Sequence, residues 1–253
     1  KRGRRSGSGE RRNQGLVIGY DQNMASRTFD GYADDYEAVL AQGLEATGED
    51  AAYFIRGRIA FLQQCLRQMG FHPREILDFG CGTGATSPAL AEALEGERVT
   101  GVDVSARSLA VARANIDRKG VRYLLFEECR STSECDLAYC NGVFHHIPPH
   151  ERRRAVALVR RALKPGGLFS FWENNPWNPG VHYVMSRTPF DADARVIAPP
   201  AAREMLRSCG FEILRVDFRF IFPRRLGRLR WIEPLLTRLP IGAQYQILCR
   251  KGR

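Results

Sequence analysis

The residues whose types and spacing most clearly suggest chemistry are a glycine-rich segment and an acid that follows it. Gly80, Gly82 and Gly84 stand between a short apolar run and a helical pattern. Glycines at such a position allow a tight turn and a close approach of the backbone to a ligand. Asp103 ends the next apolar run, where a carboxylate can accept hydrogen bonds from both hydroxyls of a ribose. The spacing therefore predicts a ligand that contains a ribose.

Asp78, just before the glycines, distinguishes two classes of such ligands. Gly80, Gly82 and Ala85 fit the dinucleotide pattern G-x-G-x-x-A, whereas Asp78, Gly80 and Gly82 fit D-x-G-x-G. A carboxylate beside the loop suits an ammonium group and repels a pyrophosphate. S-adenosylmethionine has an ammonium group and no phosphate, so we expect it to be the cofactor. The alternative for Asp78 is a helix cap or a solvated acid at the strand end.

Side chains that can transfer protons follow the fourth and fifth predicted strands. His145 and His146 lie in GVFHHIPP and Glu173 in WENNPWNP, with His182 and Tyr183 beyond them. The carboxyl edge of a parallel sheet is where ligands bind. An imidazole with a pKa of about 6.5 suits proton abstraction from a hydroxyl or ammonium group. We expect catalysis from His145, His146 and Glu173, with His145 as the general base, and packing behind the motif as the alternative for His146.

The spacing of His146 and His150 also invites a metal-binding interpretation. Pro148 and Pro149 lie between them and forbid the helix that would bring the two imidazoles together. The sequence therefore predicts no metal site.

Strands alternate with helices along most of the chain, and this alternation must position the candidate residues. Apolar runs typical of strands occupy residues 74–80, 98–104, 121–126, 135–140, 168–172, 211–222 and 243–250. Helical patterns occupy residues 86–96, 108–120, 151–167 and 201–210, and two further helices are expected within 29–70. This alternation predicts a mainly parallel sheet with helices on both faces.

Four segments together resemble the motifs of the class I S-adenosylmethionine-dependent methyltransferases. They are ILDFGCGTG, VTGVDVS, CDLAYCNGVFHHI and LKPGGLFSFWE, and the resemblance covers about residues 70–251. It implies a doubly wound, Rossmann-like α/β fold with seven strands in the order 3-2-1-4-5-7-6 and strand 7 antiparallel. It also implies that the glycines line the methionine part of the cofactor, that Asp103 binds the ribose and that Asn141 lies beneath it.

The expected cofactor-binding set combines these positions with their neighbours. It comprises Asp78, Gly80, Cys81, Gly82, Gly84, Asp103, Val104, Glu128 and Asn141. The family usually has an acid after the third strand that contacts the adenine amino group. Here that region reads FEECRSTSECD, in which Glu127 or Glu128 could serve.

We expect one methyltransferase domain over residues 20–253, preceded by a flexible basic tail, 1–19. Its expected parts are N-terminal helices (29–70), a cofactor-binding core (71–175), an acceptor-side loop (176–200) without clear helix or strand, and a basic amphipathic insertion (222–240). Phe29, Tyr32 and Tyr36 could form a lid over the site or belong to the core. The insertion suits a membrane surface, a lipid-linked acceptor or a partner subunit, and capping of a sheet edge is its alternative.

Composition limits the class of protein. The 253 residues are 44% hydrophobic and 26% charged, and no apolar run approaches the roughly 20 residues that cross a bilayer. Seven cysteines without a C-x-x-C pair favour reduced thiols in a cytoplasm. The net charge of +10 resides at the two ends, since residues 13–214 carry −3. This distribution disfavours a nucleic-acid partner.

The leading hypothesis is an enzyme that moves a methyl group from S-adenosylmethionine to an oxygen or nitrogen of a small molecule by in-line displacement. A nucleic-acid methyltransferase is the first alternative, although Asn141 is not followed by the Pro-Pro pair common in such enzymes. A nicotinamide-dependent oxidoreductase is a second, weakened because no Tyr has a Lys four residues later. A binding protein that kept the cofactor site without transfer is a third. The oligomeric state is left open.

Overall fold

A seven-stranded mixed sheet is the centre of the fold in the computed structural model, which describes residues 29–115, 118–129 and 133–252. The strands are β1 (Glu75–Phe79), β2 (Arg98–Asp103), β3 (Val121–Leu125), β4 (Cys135–Asn141), β5 (Leu163–Asn174), β6 (Phe211–Arg219) and β7 (Gln244–Lys251). Their order is β3-β2-β1-β4-β5-β7-β6, with β7 antiparallel to both neighbours. The predicted topology is confirmed, and the predicted basic tail lies outside the described residues.

Helices flank the sheet and connect its strands. They are α1 (Tyr36–Leu44), α2 (Ala51–Gln68), α3 (Ser87–Ala93), α4 (Ala106–Asn115), α5 (Arg152–Ala162), α6 (Pro179–Ser186), α7 (Pro199–Ser208) and α8 (Glu233–Leu236). Short 3-10 segments occupy Glu45–Thr47, Phe126–Glu128, Pro189–Asp191 and Arg224–Ile232, and residues 29–32 are helical. None of the helices within the described ranges is both long and apolar enough to traverse a lipid bilayer.

Both faces of the sheet are covered, as the apolar character of β1 requires. Neighbouring side chains of a strand point to opposite faces, and Ile76 and Leu77 belong to two different core clusters. Ile76 shares its cluster with Leu62 of α2, and Leu77 shares the other with Val156 of α5. This two-sided burial explains why the central strands read as continuous apolar runs.

The winding of the sheet reverses between β1 and β4. β1 pairs in parallel with β2 on one side and β4 on the other. In open sheets of this kind, the crevice outside the carboxyl ends of the strands at this reversal is the ligand-binding place. The glycine loop follows β1 and Asn141 ends β4, so both candidate elements lie at this edge.

The structure departs from the sequence expectation in two connections. Residues 176–200, predicted without clear helix or strand, contain α6, whose N-cap Asn178 accepts hydrogen bonds from the backbone N–H groups of Gly180 (2.9 Å) and Val181 (3.3 Å). Pro179 at the first helical position is favourable because it has no N–H to satisfy. The helix predicted over 151–167 ends at Ala162, and β5 begins at Leu163.

Candidate functional site

The loop between β1 and α3 is built from backbone in conformations that favour glycine. The N–H groups of Gly80 and Cys81 both donate to Val102 O, at 2.8 and 3.1 Å. Gly80 has φ +74°, and a Cβ there would lie 2.3 Å from a methyl carbon of Val143. At Gly82, with φ +53°, a Cβ would meet no protein atom within 4 Å. The side of the loop at Gly82 is therefore open.

Asp103 connects the end of β2 to this loop. Its Oδ2 accepts from the Gly82 N–H at 2.8 Å, and its Oδ1 accepts from the Ser105 N–H at 2.9 Å. Burial raises the pKa of Asp103, while these backbone hydrogen bonds oppose the rise. Each carboxylate oxygen has more than one lone pair, so both oxygens can still accept a hydrogen bond from a ligand hydroxyl.

A cavity of about 1030 Å³, including its open mouth, lies at the carboxyl edge of the sheet. Five of the nine predicted cofactor-binding residues line it, namely Gly80, Gly82, Asp103, Val104 and Asn141. The predicted residues Asp78, Cys81, Gly84 and Glu128 are not among those that line it.

Asp78 lies behind the glycine loop rather than in the cavity. Its Oδ2 accepts a hydrogen bond of 2.6 Å from the Ser87 hydroxyl at the start of α3. Burial raises the pKa of Asp78 to about 7, with a further contribution from Asp103. Cys81 is buried too, and Gly84 packs against Tyr123, whose hydroxyl donates to Gly84 O at 3.2 Å. These residues shape the loop from behind.

The segment after β3 places an aromatic ring, not an acid, against the cavity. Glu128 is exposed, and its Oε2 accepts from the Leu125 N–H at 2.9 Å, so its carboxylate turns back onto its own backbone. Phe126 lines the cavity and meets the Phe79 ring edge to face, with ring centroids 5.5 Å apart. The sequence did not indicate Phe126, because this residue ends the apolar run 121–126 and so looks like part of the core.

The residues at the glycine-loop end of the cavity, which we call its cofactor half, fit S-adenosylmethionine. Asn141 Oδ1 is buried and has no hydrogen-bond partner among the described residues, although Asn141 lines the cavity. A buried acceptor without a partner is costly, and a ligand ammonium group would satisfy it. Asp103 suits the ribose hydroxyls, Gly82 leaves room for the ligand, and Phe126 offers an apolar surface for a purine ring.

His145 is held between two carboxylates. Its Nδ1 lies 2.6 Å from Glu173 Oε2, and its Nε2 lies 3.5 Å from Asp191 Oδ1. Burial opposes protonation, but the two carboxylates outweigh it and raise the pKa of His145 to about 10. His145 is buried and does not line the cavity. The structure therefore does not place His145 where a general base must be, because both ring nitrogens face protein carboxylates.

Glu173 is fully buried and contacts both Phe144 and His145. Its Oε1 accepts from the Phe144 N–H at 2.7 Å, while its Oε2 faces His145. The carboxylate thus joins the end of β5 to the segment after β4. Glu173 does not line the cavity either.

His146 is the histidine of the pair that lines the cavity. Its Nε2 lies 3.4 Å from Asp191 Oδ1, and the Phe29 ring meets it edge to face at 5.0 Å. Burial and the neighbouring charge of His145 lower the pKa of His146. Its imidazole is therefore neutral at neutral pH and can accept a hydrogen bond or a proton.

Asp191 was not found from the sequence. It ends the 3-10 segment Pro189–Asp191, within the expected acceptor-side loop, and carries no motif. Of the other candidates there, His182 faces Pro176 O at 2.7 Å and Tyr183 is exposed, and neither lines the cavity. Asn175 is also turned away, since its Nδ2 donates to backbone carbonyls of residues 240 and 242.

The segment from Phe29 to the start of α1 at Tyr36 covers one side of the cavity. Phe29 and Tyr36 line it, and Tyr36 stacks on Phe190 with ring centroids 5.0 Å apart. Asp30 Oδ1 accepts from the Ser105 hydroxyl at 2.6 Å. This segment is thus attached next to Asp103, in the position expected of a lid.

Donor atoms of His145, His146 and Asp191 lie within 4.8 Å of one another, a set that could hold a metal ion. A proton on His145 already supplies positive charge between Glu173 and Asp191. The buried guanidinium of Arg152 adds a second positive charge that acts on Glu173. The two carboxylates are therefore balanced by groups of the chain itself.

Comparison with known proteins gives a consistent result. A family model described as a methyltransferase domain matches residues 76–167. The chain is 35% identical over 145 residues to a ubiquinone biosynthesis O-methyltransferase of Alkalilimnicola ehrlichii, covering 52% of this chain and 56% of that protein. It is 30% identical over 167 residues to the protein of that name from Cronobacter sakazakii, covering 61% and 67%. The chain spans between 25% and 67% of the length of the curated relatives it matches.

Solved structures share the fold. An S-adenosylmethionine-dependent methyltransferase from Mesorhizobium loti is 24% identical, with a TM-score of 0.54 over 74% of this chain and 96% of that one. The [4+2]-cyclase SpnF is 17% identical, with a TM-score of 0.63 over 91% and 97%. Because proteins with different activities share this architecture, function must be argued from the site.

Proposed function

Because the chain belongs to the class I S-adenosylmethionine-dependent methyltransferases, we propose that it transfers a methyl group from S-adenosylmethionine to an oxygen of a small-molecule acceptor. The observation that carries this proposal is that His146 lines the same cavity as Asp103 and Asn141. A residue able to receive a proton thus shares one space with the cofactor-binding groups. The relatives named as O-methyltransferases support oxygen over nitrogen.

Binding and alignment are the main work of this chain's residues. When bound, S-adenosylmethionine supplies a methyl group on a positively charged sulfur. Asp103 would hold its ribose, Asn141 its ammonium group, and Gly82 would give its methionine part room. Phe29 and Tyr36 line the cavity and would help to exclude water from it. Orientation and exclusion of water account for most of the acceleration in a displacement of this kind.

The acceptor proton is the one that the protein must remove. A hydroxyl becomes a far stronger acid as its oxygen bonds to the incoming carbon, so even an imidazole with a lowered pKa can receive the proton. His146 is neutral and ready for this role. Asp191, 3.4 Å from Nε2, stabilises the imidazolium that forms, which leaves Nδ1 as the nitrogen available to the acceptor.

His145 and Glu173 are positioning residues in this mechanism. Glu173 fixes the Phe144 peptide and the His145 ring, and His145 in turn faces Asp191. Asp191 therefore lies between the two histidines, fixed on one side by a protonated imidazole and facing His146 on the other. Burial, together with the charge of His145, keeps His146 unprotonated before the reaction.

The test combines cofactor binding with transfer. Isothermal titration with S-adenosylhomocysteine should show binding, and labelled S-adenosylmethionine with a small-molecule extract of the source cells should yield a labelled product identified by mass spectrometry. His146→Ala should lower the transfer rate about 10²–10⁴-fold with S-adenosylhomocysteine affinity unchanged.

The matched control is His150→Ala, which removes an exposed histidine four residues further on and should leave transfer unchanged. Absence of S-adenosylhomocysteine binding would overturn the proposal as a whole. Full activity of the His146→Ala variant would overturn the role of His146 alone. We place the reaction in the cytoplasm, and the seven unpaired cysteines support a reducing compartment.

A further inference from the structure

Exposed apolar side chains are concentrated in one segment of the chain. Nine large hydrophobic residues are exposed within the described ranges, and six of them fall in residues 226–241. Trp231 and Leu235 are the most exposed, at 75% and 79%. We call the docking face the set Trp177, Leu226, Leu229, Trp231, Leu235, Leu239 and Ile241. Such a concentration marks an interaction surface, whereas singly scattered apolar residues do not.

The segment between β6 and β7 is firmly attached to the rest of the protein. Glu233 is buried, and its Oε1 accepts from the Phe222 N–H at 3.0 Å. Arg230 pairs with Glu49 at 2.9 Å and stacks over the Tyr53 ring at 4.6 Å. The apolar side chains are thus held outward by a well-anchored backbone, and their exposure is not the result of a missing inner contact.

The second tryptophan of the docking face belongs to a different loop that is tied to the same segment. Asn178 Nδ2 donates to Ile241 O at 2.8 Å, and Asn175 Nδ2 donates to Pro240 O at 3.0 Å. Trp177 lies between these two asparagines and is half exposed. The docking face therefore combines the loop after β5 with the β6–β7 connection.

The charge of this surface has one sign. Arg224, Arg225, Arg228 and Arg238 are exposed in the segment, whereas Glu233, the one acid of residues 222–241, is buried. Among the described residues, no carboxylate pairs with Arg225 or Arg228. An anionic lipid bilayer has a negatively charged surface above an apolar interior. Apolar side chains mixed with unpaired arginines are complementary to both of these layers. Tryptophan and arginine also suit the headgroup region.

The docking face lies at the same edge of the sheet as the cavity. β7 is antiparallel to β5 and β6, and Gln244 at its start pairs with Asn174 and with Arg219, the ends of those strands. The connection from β6 to β7 therefore leaves the sheet at the carboxyl edge, where Asp103 and Asn141 end β2 and β4.

We propose that the docking face binds the surface of an anionic lipid bilayer and so holds the carboxyl edge of the sheet, with the site on it, at the lipid interface. The contact is interfacial: the exposed tryptophan and leucine side chains enter the headgroup region while the arginines bind lipid phosphates. This binding is independent of methyl transfer, so it can be tested without an acceptor.

The test is co-sedimentation of the full chain with phosphatidylcholine vesicles, with and without phosphatidylglycerol. The protein should bind the vesicles that contain phosphatidylglycerol and release at high salt. The variants Trp231→Ala/Leu235→Ala and Arg225→Glu/Arg228→Glu should each bind at least about tenfold more weakly. Tryptophan fluorescence should shift to the blue on binding, and Trp231→Phe should lose most of this shift.

Matched controls come from the opposite edge of the sheet, where Met69 and Arg207 are exposed near the starts of β1 and β6. Met69→Ala and Arg207→Glu should bind vesicles as the wild type does. Every variant keeps the basic residues 1–12. Equal binding by all variants would therefore mean that vesicle binding does not depend on the docking face, and it would overturn the proposal. Absence of wild-type binding would overturn it as well, and so would a dimer in sedimentation velocity that Trp231→Ala abolishes. S-adenosylhomocysteine titration of each variant reports separately on the proposed function.

Discussion

The two halves of the cavity, each taken with the residues that support it from behind, are built in different ways. The cofactor half depends on backbone: Gly80 and Gly82 adopt left-handed conformations, and Asp103, about twenty residues later, ties the loop to β2. The acceptor half depends on side chains from distant segments, with Phe29, His146 and Asp191 brought together by the fold. A turn that favours glycine can be predicted from a sequence, whereas a contact between distant side chains cannot.

The halves also differ in how they treat buried charge. In the cofactor half, Asp78 is buried and Asp103 is half-buried, and neither has a basic partner within hydrogen-bonding distance among the described residues. Removal from water raises the pKa of each. In the acceptor half, Glu173 and Asp191 face a protonated His145. One half is therefore prepared for a positively charged ligand, and the other is already balanced. Substitutions in one half should therefore affect cofactor binding and methyl transfer differently from substitutions in the other.

Among substitutions that affect folding stability, the largest effect should come from Glu173→Gln. Removing this charge leaves protonated His145 with one carboxylate, and loss of one partner of a buried ion pair costs about 3–5 kcal/mol. We expect the transfer rate to fall about 100-fold and the free energy of unfolding to fall by about 3 kcal/mol, with S-adenosylhomocysteine affinity nearly unchanged. Urea denaturation measures the free energy of unfolding, and calorimetric titration measures the S-adenosylhomocysteine affinity. A large loss of cofactor affinity in a folded variant would show that the halves are not separable.

Asp103→Asn should produce the converse result. It removes the charge that accepts ligand hydrogen bonds, each worth about 1.5–3 kcal/mol when one partner is charged. S-adenosylhomocysteine should bind about 10–100-fold more weakly, and calorimetric titration measures the change. Asp193→Asn, at an exposed position, is the control and should bind as the wild type does. Unchanged affinity in Asp103→Asn would remove the ribose role from this residue.

The same contrast explains what was predictable from the sequence. The strand order, the glycine loop and Asp103 followed from local patterns and from the family resemblance. The sequence favoured His145 as the base, but two neighbouring histidines share one pattern and only the packing of Glu173 and Asp191 decides which faces the cavity. Phe126 was missed because an apolar residue after a strand looks like core.

His145 provides a thermal test of the acceptor half. Its pKa is about 10 in the folded protein and about 6.5 when unfolded, so its stabilising protonation is complete below pH 6.5 and is lost as the pH rises towards 10. The melting temperature should fall by more than about 4 °C between pH 7 and pH 10. His145→Gln should melt lower at pH 7 and lose this component of the pH dependence. An identical slope in that variant would assign the effect to other groups.

The smallest expected effect is a change of cofactor affinity with the ionisation of Asp78, which lies behind the cofactor half. With a pKa of about 7, Asp78 is neutral below pH 7 and charged above it. Although it does not line the cavity, its charge can act across the thin loop on a ligand ammonium group. We therefore expect S-adenosylhomocysteine affinity to rise a few-fold between about pH 6 and pH 8, because the carboxylate form favours the cation. Asp78→Asn should abolish this rise and bind at all pH values as the wild type does at low pH.

Two other outcomes for this variant would contradict the prediction. A loss of affinity as large as that of Asp103→Asn would mean that Asp78 contacts the ligand directly. An unaltered pH profile would mean that the charge of Asp78 does not reach the cavity.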